Sequence, residues 1–208
     1  MTPQQVNDAI RQRYNAEGDT FFGEAMIWDL IYQGQMIMAQ EAFVIERKYT
    51  AVSVASTREY DFPTSAISVR RIEYDGKKML PVTVDQDPKT STTEVSGTPG
   101  EYAVWNNELI LYPTPSASGD TITIYTYNEP QPVTATSTLE IPTEYHLDLI
   151  EFALGSLSAK DGNGAMAKYF DERWFRCLER VKRTAAKKRR GDGLSVVRDE
   201  NTFSVVGG

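Results

Sequence analysis

Apolar residues recur at helical spacing at both ends of this chain and at period two between them, and that double switch limits the folds open to it. Val6, Ile10 and Tyr14 repeat at intervals of four. Thr2 precedes them as a predicted N-cap, with Pro3 at the first helical position and Gln5 placed to close a capping box. A second helix is predicted over residues 22–47, where Ile27, Leu30, Ile31, Gly34, Ile37, Met38, Phe43 and Ile45 keep one stripe. Gly34 within it permits close packing against another helix. Beyond Pro142, Tyr145, Leu149, Phe152, Ala153 and Ser156 share one face, and Leu147, Ile150, Leu154 and Leu157 a neighbouring one, so that helix is predicted to be buried on most sides. The turn DGNG at 161–164 leads into a last helix ending at Arg190, with Met166, Phe170, Trp174, Cys177, Val181 and Ala185 as its stripe.

Between these helices the pattern is that of strands. Thr50, Val52 and Val54 alternate with Tyr49, Ala51 and Ser53. SVRRIEYDGKKMLPVTV reads as a hairpin turning at Asp75 and Gly76, which tolerate the positive φ angles of a primed turn. EYAVWNNELILYPTP reads as a second, turning at Asn106 and Asn107, and DTITIYTYNEP as a further strand. Residues 85–100 read as an irregular loop, and Pro130, Pro132 and the Thr/Ser run to Thr138 mark the exit. Five or six strands are expected. Each helix pair alone would expose an apolar face, so the predicted fold is α+β: an antiparallel helical bundle built from N-terminal (1–47) and C-terminal (139–190) helix pairs. A mostly antiparallel β domain (48–138) is inserted in it, and an extended arm (191–208) follows.

Little in the sequence supports catalysis. Its 208 residues suffice for a real core, but His146 is the only histidine and Cys177 the only cysteine, so a zinc site lacks ligands and no intramolecular disulfide can form. GxSxG, P-loop and GxGxxG spacings are absent, and DGNG lacks the further carboxylates of a calcium loop. Asp85 with Asp87, and Asp171 with Glu172, read as solvated surface acids; Tyr102, Trp105, Tyr112, Tyr125 and Tyr127 read as cross-strand packing rather than a carbohydrate-binding face. A hydrolase of the cell envelope would have only these acids and aromatics to work with. Neither enzymatic activity nor a cofactor or metal is expected. No apolar run approaches the ~18 residues of a membrane span, and the N-terminus lacks the order of a signal peptide, so a soluble, unexported protein is expected.

Charge is where the sequence is most informative. Residues 176–190 hold eight bases and one acid, a net of +7 that leaves −14 on the remainder of a chain totalling −7. One or two cations would satisfy the negative end of a helix dipole. Lys182, Arg183, Lys187, Lys188, Arg189 and Arg190 exceed that need and point to an acidic partner surface or a phosphate backbone. The tail that follows carries Leu194, Val196 and Val197, then Phe203, Val205 and Val206, which is richer in Val and Phe than an inert disordered tail. Extended, its 18 residues reach ~60 Å. They are expected to act as an arm that orders by adding a strand to, or filling grooves on, another chain.

Three stretches carry a family resemblance: TREYDFPTSAISVRRIEYDGKKML, GTPGEYAVWNNELILYPTP, and EIPTEYHLDLIEFALGSL followed by the YFDERW helix. In their order and spacing the chain resembles the head-to-tail adaptor proteins of short-tailed bacteriophages, the group that includes tail tubular protein A and related portal adaptors. The resemblance implies a ring of identical copies, usually twelve-fold, in the virion neck and assembled in the host cytoplasm. Such a ring docks beneath the portal protein, carries the tail nozzle protein, and passes double-stranded DNA without sequence-specific contact; no membrane is involved. Family members often attach to the portal through a C-terminal helix and arm, which here corresponds to the basic residues 182–190 and the apolar residues of the tail. The alternative reading is a DNA-binding module that uses the basic end of the last helix.

Overall fold

A computed structural model describes residues 1–15, 22–84 and 95–190. Among these residues the fold is mixed α+β, with four α-helices and mainly antiparallel sheets. Helix α1 (Pro3–Tyr14) begins as the sequence predicts: the Gln5 N–H donates to Thr2 Oγ1 at 3.2 Å, and the Thr2 N–H donates to Gln5 Oε1 at 2.9 Å. Helix α2 (Glu24–Ala42) ends five residues before the predicted limit. Phe43 takes a left-handed conformation (φ 51°), its N–H donates to the Ala39 carbonyl, and strand β1 (Glu46–Val52) starts almost at once. The apolar stripe misleads here because Ile45 continues to bury in the helical core from extended backbone, while Phe43 packs on Tyr127 at 5.2 Å.

The C-terminal helices also differ in detail. After Pro142 comes a single 3₁₀ turn, Thr143–Tyr145, and α3 (Asp148–Lys160) follows. Leu149, Ile150, Ala153, Leu154 and Leu157 are buried, but Leu147, expected on an apolar face, precedes the helix and is exposed. Gly162 (φ 74°) turns the chain into α4 (Gly164–Arg190). The buried face of α4 runs through Ala167, Trp174, Leu178, Val181 and Ala185; Met166 is exposed and Cys177 only half-buried. Leu178 and Cys177 compete for the same turn, and the larger apolar side chain takes the core. All four helices contribute to one apolar cluster, among them Ile10, Ile31, Leu149 and Val181. At Gly34 a Cβ would lie 2.9 Å from Leu149 Cδ2 and 3.2 Å from Phe152 Cδ1, so α2 reaches α3 at the distance glycine allows.

The strands after β1 are β2 (Glu59–Asp61), β3 (Ala66–Tyr74), β4 (Lys77–Lys78), β5 (Leu80–Pro81), β6 (Ser96–Gly97), β7 (Glu101–Trp105), β8 (Glu108–Tyr112), β9 (Thr114–Pro115) and β10 (Thr121–Asn128). Ten are thus found among the described residues where five or six are expected, because four are two-residue pairings that no periodicity could reveal. One sheet has the order β1-β10-β3-β4, a second β2-β8-β7-β5; β5–β7 and β6–β9 pair parallel. Both predicted turns form, with Asp75 and Gly76 at φ 46° and 74°, and Asn106 and Asn107 at 50° and 61°. The faces of the two larger sheets meet in a separate cluster around Ile72, Met79, Leu109, Leu111, Ile122 and Ile124.

Gly34→Ala is expected to lower stability by ~1 kcal/mol. Overpacking of ~1–3 kcal/mol at the α2–α3 contact outweighs the ~1 kcal/mol that alanine contributes to helix propensity. Urea unfolding midpoints of the two chains check this, and a stabilised variant would show that the contact has slack.

Candidate partner-binding surface

Helix α4 carries the basic run, and its geometry divides those cations into two groups. The row Arg176, Arg180, Arg183 and Lys187 lies about 200° around the helix from the buried row Trp174, Leu178, Val181 and Ala185. Arg180 folds back onto α3, where its Nη2 donates to both oxygens of buried Asp148 at 2.6 Å. The buried Glu151 carboxylate likewise receives Arg173 at 2.9 Å and Arg13 at 3.3 Å through one oxygen. Lys182 pairs with Glu41 of α2 at 2.8 Å and Lys188 with Glu144 at 2.7 Å. Arg189 Nη1 donates to the Ala42 carbonyl at 2.7 Å, capping α2, while its guanidinium lies 5.6 Å from the Phe43 ring and 5.8 Å from that of Tyr127. These cations tie the helices together and α4 to the sheet.

Arg183 and Lys187 have no partner among the described residues. They border a shallow depression of about 580 Å³ on the outer face of α4, together with Arg176, Glu179 and Phe175. Phe175 is 63% exposed although it sits between Trp174 and Leu178, both buried. In sequence an apolar residue beside a helical stripe looks like core, and only the offset of one position from Trp174 signals that Phe175 faces outward. Of the residues singled out for partner contact, Arg183 and Lys187 therefore lack a partner among the described residues, and Lys182, Lys188 and Arg189 are engaged within the chain. The Arg190 side chain and Leu194, Val196, Val197, Phe203, Val205 and Val206 lie outside the described residues, as do Asp85 and Asp87.

Other candidate groups take structural places. His146 is buried, with Nε2–H donating to the Ile141 carbonyl at 2.9 Å and the Met1 ammonium donating to Nδ1 at 3.0 Å; burial, with the nearby ammonium, lowers its pKa. Burial first, and Asp148 second, push the Cys177 thiol up to about 11, away from thiolate chemistry. Tyr102, Tyr112 and Tyr127 are buried and Tyr125 lies 4.6 Å under Arg71, but Trp105 stands exposed at the end of its strand. Among the described residues no three metal-ligating side chains converge, and no helix is long and apolar enough to cross a membrane.

A family model described as SU10 adaptor protein matches residues 1–198. The chain belongs to the SU10 adaptor protein family. That membership agrees with the resemblance to phage head-to-tail adaptors, and the matched region runs through all four helices, both larger sheets and the first eight residues beyond α4. No curated protein matches this adaptor.

Three outcomes follow for this SU10 adaptor. Arg180→Ala should cost about 1–2 kcal/mol, between the values for exposed and buried pairs, because Arg180 is itself largely exposed but leaves Asp148 buried and uncompensated. The double change Arg183→Ala with Lys187→Ala should stay within about 0.5 kcal/mol; urea midpoints measure both. His146 is neutral in the fold and gains a proton more readily when unfolded, so stability should fall as pH drops through about 6.5, the ordinary imidazole value. His146→Gln should flatten that decline between pH 7.5 and 5.5, a window above the titration of Glu144.

Proposed function

We propose that this protein is a structural component of a phage virion, an adaptor whose identical copies form a ring between the portal protein and the tail nozzle protein and extend the DNA channel. Family membership supports the adaptor role. The observation that carries the contact is the outer face of α4: an exposed Phe175 beside Arg183 and Lys187, which have no partner among the described residues, on the helix that precedes the arm. An exposed aromatic beside arginines is the kind of anchor that prevails at interface centres, with Lys187 and Glu179 at its border. Folding does not need these groups, so their burial free energy is available to a partner. In the ring, this face and the arm engage the portal, and the acidic remainder of the body faces polyanionic DNA without holding it.

The DNA-binding alternative is weakened by the same geometry. Arg180, Lys182, Lys188 and Arg189 are committed within the chain, which leaves few free cations to neutralise a phosphate backbone.

Co-expression with the portal protein and imaging of the resulting particles tests the proposal. A ring containing this chain is expected at the portal, and deleting residues 194–208, or changing Arg183→Glu with Lys187→Glu, is expected to weaken its attachment at least tenfold with the fold intact. Attachment unchanged in both variants would exclude this face and the arm as the portal contact. DNA affinity that falls steeply with salt and vanishes in the Arg183→Glu, Lys187→Glu chain would favour the alternative.

A further inference from the structure

On the side of Phe175 away from its cations, the surface of α4 falls into a groove shared with α2. The groove has a volume of about 600 Å³, and Ile37, Phe152, Trp174 and Leu178 line it. Trp174 and Leu178 are buried in the helical core, Ile37 and Phe152 are half-buried, and the rings of Phe152 and Trp174 pack at 5.1 Å. The charged residues at its border are answered from within the chain. Lys182 Nζ lies 2.8 Å from a Glu41 oxygen and 3.6 Å from one of Glu179. Asp171 rests against α3, where a Cβ on Gly155 would come within 2.6 Å of its Oδ1. What the groove offers a partner is therefore chiefly apolar surface, with exposed Phe175 standing between it and the depression of Arg176, Arg183 and Lys187.

Backbone chemistry and charge together select the occupant. Every residue lining the groove belongs to α2, α3 or α4, helices whose backbone groups are paired along their own axes. An extended segment laid there would leave its own N–H and C=O groups facing apolar side chains, whereas a helix satisfies them internally. The groove follows α4 from Asp171 to Lys182, about 17 Å at 1.5 Å per residue, which a partner helix of about three turns fills. Its flank then faces the cations beyond Phe175. Arg176 is 3.9 Å from Glu172 in an exposed pair of little worth, and Arg183 and Lys187 have no partner among the described residues. Carboxylates on that flank would be attracted and lysines repelled.

From this we infer that the groove between α2 and α4 is the docking site for an acidic amphipathic helix of another protein, its apolar stripe on Ile37, Phe152 and Phe175 and its carboxylates over Arg183 and Lys187. Apolar burial in the groove supplies the affinity, and the cations select the sign of the partner's charge. That the portal protein provides this helix rests on the adaptor reading; the chemistry of the groove does not.

Fluorescence anisotropy tests this on the full-length chain with a labelled synthetic helix of about 18 residues, leucines on one face at spacings of three and four and glutamates on the other. That peptide should bind at least tenfold more tightly than the same peptide with lysine in place of glutamate. Phe175→Ser should weaken it at least tenfold, and Arg183→Glu with Lys187→Glu should reverse the preference between the two peptides, with urea midpoints unchanged in both variants. Trp105→Ser removes a comparably exposed aromatic from β7 and should change nothing. Equal affinity for the two peptides, no binding of either, or equal losses in the Phe175→Ser and Trp105→Ser chains would overturn the inference. So would sedimentation of the chain alone as a dimer that Phe175→Ser dissociates, since a second copy would then be the occupant. Portal attachment is measured separately. Its retention by the Phe175→Ser chain, with acidic-peptide binding lost, would count against the adaptor contact alone.

Discussion

The helices at the two ends of this chain have chiefly each other to bury against. Gly34 meets Leu149 and Phe152, residues more than a hundred positions away, and the apolar faces of α1 and α2 share one core with α3 and α4. The entropic penalty of so distant a contact is smaller than the separation suggests, since each doubling of a loop adds only about 0.6 kcal/mol. The intervening strands reduce it further. The first and last of them, β1 and β10, pair antiparallel with Glu46 opposite Tyr127, so the chain leaves the helical core and re-enters it at neighbouring points. The β1–β10 pairing thus brings the ends of the N- and C-terminal helical segments close together.

Charge completes what apolar packing begins. Asp148 and Glu151 lie on the buried side of α3, where an isolated carboxylate would be costly, and Arg180, Arg173 and Arg13 reach in from more exposed positions to satisfy them. The long aliphatic stems of arginine cross apolar surface while the guanidinium stays near water. Arg189 works differently: it supplies a donor to the unpaired carbonyl at the end of α2 and lies against the rings of Phe43 and Tyr127, one from each side of the helix–sheet junction. A basic run that looks uniform along the sequence is consequently two sets of side chains with different tasks.

That division explains what could be read beforehand. The capping box at Thr2 and Gln5, the Asp75-Gly76 and Asn106-Asn107 turns and the close approach at Gly34 are local chemistry, visible in a few neighbouring residues. The end of α2 was not legible, because Phe43 and Ile45 keep a helical spacing while their burial is decided by Tyr127 and the core across the junction. The two-residue strands were hidden for the same reason, being products of pairing rather than of periodicity. The surplus of positive charge at the end of α4 was plain. Which cations would find Glu41, Asp148 or Glu144 depended on elements far away in sequence, and Phe175 could be told from core only once Trp174 and Leu178 had fixed the rotation of the helix.

The free cations of α4 also have the properties that assembly requires. Arg183 and Lys187 lose little by standing in water, and a pair exposed on a surface gains little from a neighbouring acid, so evolution of this face is only weakly constrained by folding. The balance changes when a partner excludes water, because the same charges then interact in a medium of lower dielectric and an approaching acidic surface is steered to them from a Debye length away. Phe175 adds apolar area that none of the described residues covers. Burying Phe175 and pairing Arg183 and Lys187 would therefore add free energy that packing of the described residues does not already use.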